Sequence, residues 1–291
     1  MHIPGRLKTL ARVCLWCGLL AALNARALAT QAATSPLDVI DSVVLDAMAQ
    51  NQIPGAVVLV GHNGQVVYRK AIGNRALEPR REPMTLDTVF DVASLTKVIA
   101  TTTAVMQLIE EGKVRTYDPV VRYLPEFGAN GKGEITVREL LTHYSGLAPD
   151  LDRSRPWQGK ATAYQMANAE TPIHPPGAVF VYSDINFIVL GELVERVSGL
   201  SLDQYAARYI FQPLHMEHTR FLPPPAWTAN IAPTQYDEHN VMLRGVVHDP
   251  SARWMGGVAG HAGVFSTADD LAIFYKCMSG RDVPANPNCA S

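Results

Sequence analysis

An Asn-Gly pair at residues 63 and 64 restricts the fold of this chain more than any other feature of the sequence. Such a pair takes up left-handed backbone at little cost, which is what a tight two-residue hairpin turn demands. It lies between the apolar run Ala56-Val57-Val58-Leu59-Val60 and the segment Val66-Val67-Tyr68, and so predicts a β-hairpin over residues 56–73. The first run is continuous, as in a strand covered on both faces. Residues 35–51 read as a helix that precedes the hairpin: Ser35 suits the N-cap, Pro36 the first helical position and Asp38 the first turn. Leu37, Ile40, Val43, Val44 and Ala47 share one face of it. From about residue 85 to 245 the signals are mostly helical. Leu95, Ile99, Thr102, Val105, Met106 and Ile109 repeat at helical spacing after Ser94, and Gly112 supplies a stop. Thr136-Val137-Arg138-Glu139 is a capping box, Asn186 to Val197 and Leu202 to Phe211 give further helices, and Pro223-Pro224-Pro225 marks a loop. Parallel α/β folds alternate strand and helix more evenly. The expected class is therefore α+β: an antiparallel sheet flanked by helices, with a large helical insertion and with further strands of the sheet later in the chain.

The N-terminus reads as an export signal. Arg6, Lys8 and Arg12 precede an apolar run of 11 residues, Val13 to Leu23, which is too short to span a bilayer comfortably. Ala27-Leu28-Ala29 fits a small-x-small cleavage site, so residues 1–29 are expected to be removed and residues 30–291 to act in the periplasm or outside the cell. An uncleaved anchor is the alternative; no later segment has the make-up of a membrane span. Removing Arg6, Lys8, Arg12 and Arg26 leaves 21 basic against 27 acidic residues, a net charge of −6 against −2 for the whole chain. No basic stripe interleaves with aromatics, so a nucleic-acid partner is not expected. Cys14 and Cys17 fall within the signal; Cys277 and Cys289 either pair in an oxidising compartment or stay free thiols. His215-Met216-Glu217-His218 beside Pro213 reads as an exposed loop rather than half a metal site, and neither metal nor cofactor is expected.

The chemistry is carried by Asp91-Val92-Ala93-Ser94-Leu95-Thr96-Lys97. A spacing of three stacks Ser94 and Lys97 on one helical face. A serine hydroxyl is a weak nucleophile and needs an adjacent base, and a lysine in a dry setting is one. The N-terminus of a helix adds positive potential where an oxyanion forms. A second segment, Val181-Tyr182-Ser183-Asp184-Ile185-Asn186-Phe187, sets a tyrosine where it can pass a proton between Ser94 and a leaving group.

In this order the segments resemble the serine β-lactamase and penicillin-binding superfamily, in its class C β-lactamase, D-Ala-D-Ala carboxypeptidase and esterase branch. Asp91 to Lys97 looks like the nucleophile segment, and Ile135 to Leu147 is similar to the segment after the first helices. Tyr182-Ser183-Asp184 looks like the Tyr-x-Asn element with Asp for Asn, and Gly256 to Gly263 followed by Ser266 to Leu271 resembles a later loop-to-helix segment. The resemblance covers roughly residues 36–275. It implies that Ser94 forms an acyl-enzyme, that Lys97 and Tyr182 share the general-base and shuttle work, and that Asp184 stands at a substrate-binding position. An ionised Asp accepts hydrogen bonds but cannot donate one to a substrate amide.

The family's third motif, Lys-Thr-Gly or His-x-Gly on a strand, has a candidate in His261-Ala262-Gly263, which makes His261 a second substrate-binding candidate. The following residues, Ser266 to Phe274, read as a helix start instead of a strand, and the tail Arg281 to Ser291 resembles nothing in the family. The resemblance thus implies a domain lacking its last strands, with an open apolar edge on the hairpin and one oxyanion donor fewer. The functional expectation is a hydrolase acting on a D-Ala-D-Ala peptide, a β-lactam or a small ester. A catalytically impaired fragment or a penicillin-binding pseudo-enzyme is the alternative.

Overall fold

The computed structural model describes residues 36–280. The segment read as an export signal, Ser35 and Cys289 lie outside the described residues. Helix α1 (Val39–Ala49) follows a 3-10 turn, Pro36–Asp38. Strand β1 (Gly55–His62) turns at Asn63-Gly64 into β2 (Gln65–Ala76), and both turn residues have positive φ, 49° and 74°. The hairpin is thus where the turn chemistry puts it. The strands pair antiparallel from Gly55 opposite Gly73 to Val60 opposite Tyr68, with a bulge at Val60/Gly61. β3 (Glu82–Pro83) adds to the other side of β2, giving the order β1-β2-β3.

Two expectations need correction here. The apolar run in β1 is half-buried, not covered on both faces. The hairpin's third strand follows at once, and the late strand joins a different sheet. That sheet has the order β4-β6-β5, from β4 (Phe90–Asp91), β5 (Arg220–Phe221) and the central β6 (Val264–Ser266), whose three residues are all buried. Among the described residues β1 is an edge strand. Helix α8 (Ala268–Met278) lies along it, leaving an apolar groove of about 560 Å³ lined by Val57, Leu59, Leu271 and Tyr275. The Arg69 guanidinium donates to Asp269 at 2.7 Å, tying β2 to α8.

The helices build the core. In α2 a π-helical stretch, Lys97–Thr102, runs into the α-helical Thr103–Glu110. The wider π turn shifts the phase of the α-helical turns after it. Ile99 and Val105 are buried as the periodicity requires, but Leu95 and Met106, expected on the same face, are exposed. Helix α3 (Val137–Leu141) opens on the expected capping box, Thr136 Oγ1 accepting from Glu139 N while Glu139 accepts from Thr136 N. Then come α4 (Lys160–Ala169) and the central α5 (Asp184–Ser198), buried on every side from Ile185 to Val194. Ser183 caps its start and Gly199, at φ 74°, its end. Helix α6 (Leu202–Ala206) passes into a π turn, Ala207–Phe211. The helical stretch stops there, well short of residue 245: the proline run leaves only a 3-10 turn, Pro225–Asn230, and a short helix α7 (Pro250–Trp254) precedes β6. Cys277, in α8, is disulfide-bonded.

Glu82 anchors β3 to the loops beyond it. Arg244 grips its carboxylate with two bonds of 3.0 and 2.6 Å, and Arg75 adds one of 3.1 Å. The Arg244 bonds outweigh burial and hold the Glu82 carboxyl down at about 2. A depressed folded-state value stabilises above the unfolded carboxylate range and is lost as pH falls through the folded value. Glu82→Gln should therefore be less stable than the parent at pH 6, and the gap should narrow as pH drops from about 4.5 toward 2. Urea midpoints at pH 6 and pH 3 measure this; a gap that does not change with pH refutes it.

Candidate active site

Strand β4 delivers the nucleophile segment. Asp91 ends the strand and fixes the turn after it, one carboxylate oxygen accepting from Ala93 N and the other from His248 N, both at 2.8 Å. Ala93 sits at φ 46°, a left-handed position that alanine rarely takes, so the turn is held by its surroundings. It places Ser94 in a 3-10 turn, exposed, at the head of α2, while Lys97 is only 3% exposed.

Lys97 Nζ reaches three oxygens. It donates to Ser94 Oγ at 3.0 Å and to the main-chain carbonyl of His261 at 3.3 Å, and it forms an ion pair with Asp184 Oδ1 at 2.6 Å. The sequence-predicted pair is thus within hydrogen-bond reach, through a 3-10 turn and a π turn rather than a regular α-helix.

Tyr182 and Asp184 come from the segment that enters α5. The Tyr182 ring centroid lies 4.7 Å from Lys97 Nζ, so the ammonium sits over the ring face. The residue is half-exposed, and among the described residues its hydroxyl has no hydrogen-bond partner. His143 supports it from below, with ring centroids 4.5 Å apart, and accepts from Ser183 N through Nδ1 at 3.0 Å. Burial, then the Lys97 charge, push the His143 pKa below its ordinary value, against an opposing pull from Asp184. His143 is a neutral prop under the tyrosine. Asp184 turns its carboxylate to Lys97 rather than outward.

His261 is fully enclosed, so its ring presents no atom to a substrate. Nε2 lies 2.9 Å from Asp249 Oδ1, and the residue meets the site only through its carbonyl. The segment before it is a loop. A strand does follow, β6, where a helix start was expected at Ser266; helix α8 begins at Ala268, with Thr267 accepting from Asp270 N. Three residues are too few to show strand alternation in a sequence. Two threonines of α2 lock this loop in place: Thr101 Oγ1 donates to Gly260 O at 2.7 Å, and Thr96 Oγ1 accepts from Val264 N at 3.1 Å.

The sequence reading did not single out Asp249. Asp249 caps α7, accepting from Ala252 N at 2.8 Å, with Pro250 at the first helical position. An Asp followed by Pro is itself a helix-start signal. Asp184, Asp249 and His261 each bring a potential ligand atom within 4.8 Å of the others. The cation at this cluster is the Lys97 ammonium. His218 instead packs against Trp227, with centroids 5.7 Å apart, and Trp157 packs edge-on against Trp254.

An exposed serine at a strand-turn-helix junction and a buried lysine beside it, on an α+β scaffold, are what the structure brings together. The Beta-lactamase family matches residues 40–288, and the chain belongs to that family. It is 33% identical over 287 residues to the N-acetylmuramyl-L-alanine amidase of Bacillus subtilis (strain 168), a match covering 85% of this chain and 64% of that protein. The chain therefore spans less than two thirds of that relative's length. The octameric penicillin-binding protein homologue from Pyrococcus abyssi superposes with a TM-score of 0.71 at 26% identity, over 88% of this chain and 59% of that one. The D-alanine carboxypeptidase of Burkholderia cenocepacia does so with a TM-score of 0.71 at 25% identity, over 87% and 66%.

Proposed function

We propose that this chain is a serine hydrolase that cleaves an amide or ester through an acyl-enzyme on Ser94, preferring a D-Ala-D-Ala-type peptide or small ester to a β-lactam. One observation carries the reading: an exposed Ser94 Oγ lies 3.0 Å from the Nζ of a buried lysine. Ser94 attacks the carbonyl carbon. Lys97 takes the hydroxyl proton, and the half-exposed Tyr182 hydroxyl passes a proton to the leaving group. The Ser94 amide, at the head of α2, faces the oxyanion. The amidase and carboxypeptidase names of the relatives favour an amide at alanine, hence a peptidoglycan peptide as partner. The export signal read at residues 1–29 and the disulfide at Cys277 favour a site of action outside the cytoplasm. No helix among the described residues is long and apolar enough to cross a membrane.

The test is to incubate the chain with fluorescent penicillin, a p-nitrophenyl ester and diacetyl-L-Lys-D-Ala-D-Ala, and to map adducts by tryptic mass spectrometry. A covalent adduct on the peptide holding Ser94, with D-alanine or nitrophenol released, is the expected result. Folded protein that forms no adduct and releases neither product overturns the reading. A β-lactam turned over faster than the peptide and the ester reverses the substrate order.

A further inference from the structure

An ammonium carries three N–H bonds; Lys97 donates two, to Ser94 Oγ at 3.0 Å and to His261 O at 3.3 Å, while Asp184 Oδ1 lies 2.6 Å from Nζ as its ion-pair partner and has no hydrogen bond of its own among the described residues. Nζ can receive the Ser94 proton only once it has a lone pair, and the three oxygens around it are the nearest groups to which its own proton could pass. A peptide carbonyl is too weak a base, and Ser94 Oγ is the atom to be deprotonated. Asp184 remains. We propose that Asp184, backed by the Asp249–His261 pair, holds the proton that Lys97 yields when Ser94 is acylated. The inference rests on the acyl-enzyme reading and gives the unusual Asp at the Tyr-x-Asn position a task that Asn cannot perform.

The backing pair is built for this. Burial pushes the Asp249 carboxyl up, but the hydrogen bond with His261 more than reverses it, down to about 2. Asp249 is therefore a fixed anion at any working pH. As an anion it only accepts, so His261 Nε2–H donates, and Nδ1 is left enclosed, without a partner among the described residues. A fixed negative charge in reach of the Asp184 oxygens, within 4.8 Å, favours a proton on Asp184 during transfer. Other charges facing the cluster are few: His143 from beneath Tyr182, and Arg153 and Asp91 beyond Asp249.

The protons balance. One Nζ–H proton moves to Asp184 Oδ1, and Nζ then takes the proton of Ser94 Oγ as Oγ bonds to the carbonyl carbon. When the leaving group's bond breaks, that proton departs with it, directly or through Tyr182. Asp184 then returns its proton to Nζ. Asp184 acts through Lys97, so it is a positioning residue and its signature is a pH profile.

The experiment is the rate of Ser94 acylation by fluorescent penicillin from pH 5 to 10, for the parent, Asp184→Asn and Asp249→Asn, with thermal melts confirming folding. Asn matches Asp in shape, so Asp184→Asn is expected to fold. Its acylation should be about a hundredfold slower near neutrality and should climb toward the range where a lysine loses its own proton, about pH 10. Asp249→Asn should be about tenfold slower, with its acid limb shifted to lower pH, because the anion that favours a proton on Asp184 is gone. If the parent acylates and the Asp184→Asn profile superimposes on it, this inference fails alone. If the folded parent forms no adduct at any pH, the acyl-enzyme reading fails and takes this inference with it.

Discussion

Lys97→Met should slow acylation of Ser94 at least about a thousandfold while also weakening the fold. Methionine follows the path of the lysine stem but has neither charge nor proton. The chemical loss comes from Ser94, which keeps its exposed position and loses its base. The structural loss comes from Asp184, whose side chain is only 19% exposed and would be left without its counter-ion. Around it stand the rings of Tyr182 and Phe187, which met the ammonium at 4.7 and 5.8 Å. Removing one partner of a buried ion pair costs about 3–5 kcal/mol. Adding Asp184→Asn removes the orphaned charge, so the double variant should regain most of that stability and none of the acylation rate. Urea denaturation and labelling kinetics on the four members of this cycle separate the two effects. Lys97→Met labelling within tenfold of the parent would move the base elsewhere.

The readable parts of this molecule are those decided by neighbours in sequence. Asn63-Gly64 set the hairpin because the φ demands of a two-residue turn are met within the turn itself. Thr136 and Glu139 set the start of α3 because a capping box closes within four residues. Ser94 and Lys97 were found together for the same reason: three residues apart, they meet in any tight helical turn. The π turn was not readable from the spacing, and the phase shift after it leaves Met106 in solvent. Asp184 was visible as a position but not as the counter-ion of Lys97, because that contact spans two segments joined only by the fold. Asp249 and His261 were harder still. Their pairing depends on the short helix α7 and the loop before β6 folding back toward α2, and nothing local in either segment announces it.

That fold-back makes Gly260→Ala the most damaging small change expected in the loop. A Cβ at residue 260 would lie 1.9 Å from the carbonyl oxygen of Phe187 and 3.1 Å from Gly191 N. Both are backbone atoms of α5, the most enclosed helix, so no side-chain rotation relieves the clash and the loop itself must retreat. The cost should be about 3 kcal/mol, or a melting temperature lower by roughly 6–12 °C. The retreat also carries away two carbonyls that matter: Gly260 O, which receives Thr101 Oγ1 at 2.7 Å, and His261 O, which receives Lys97 Nζ at 3.3 Å. A displacement of about 1 Å at a catalytic group can cost a hundredfold in rate, so acylation should fall with stability. Gly256→Ala, in the same loop, supplies the contrast. Gly256 has φ 90° and nothing within 4 Å of its would-be Cβ, so its substitution meets only left-handed backbone strain, about 1–2 kcal/mol, and leaves the carbonyls in place. Melting both variants and labelling Ser94 in each tests the argument: Gly260→Ala should lose rate and stability together, and Gly256→Ala stability alone. Equal rates in the two would mean that the close approach of this loop to α5 does not hold Lys97 in position.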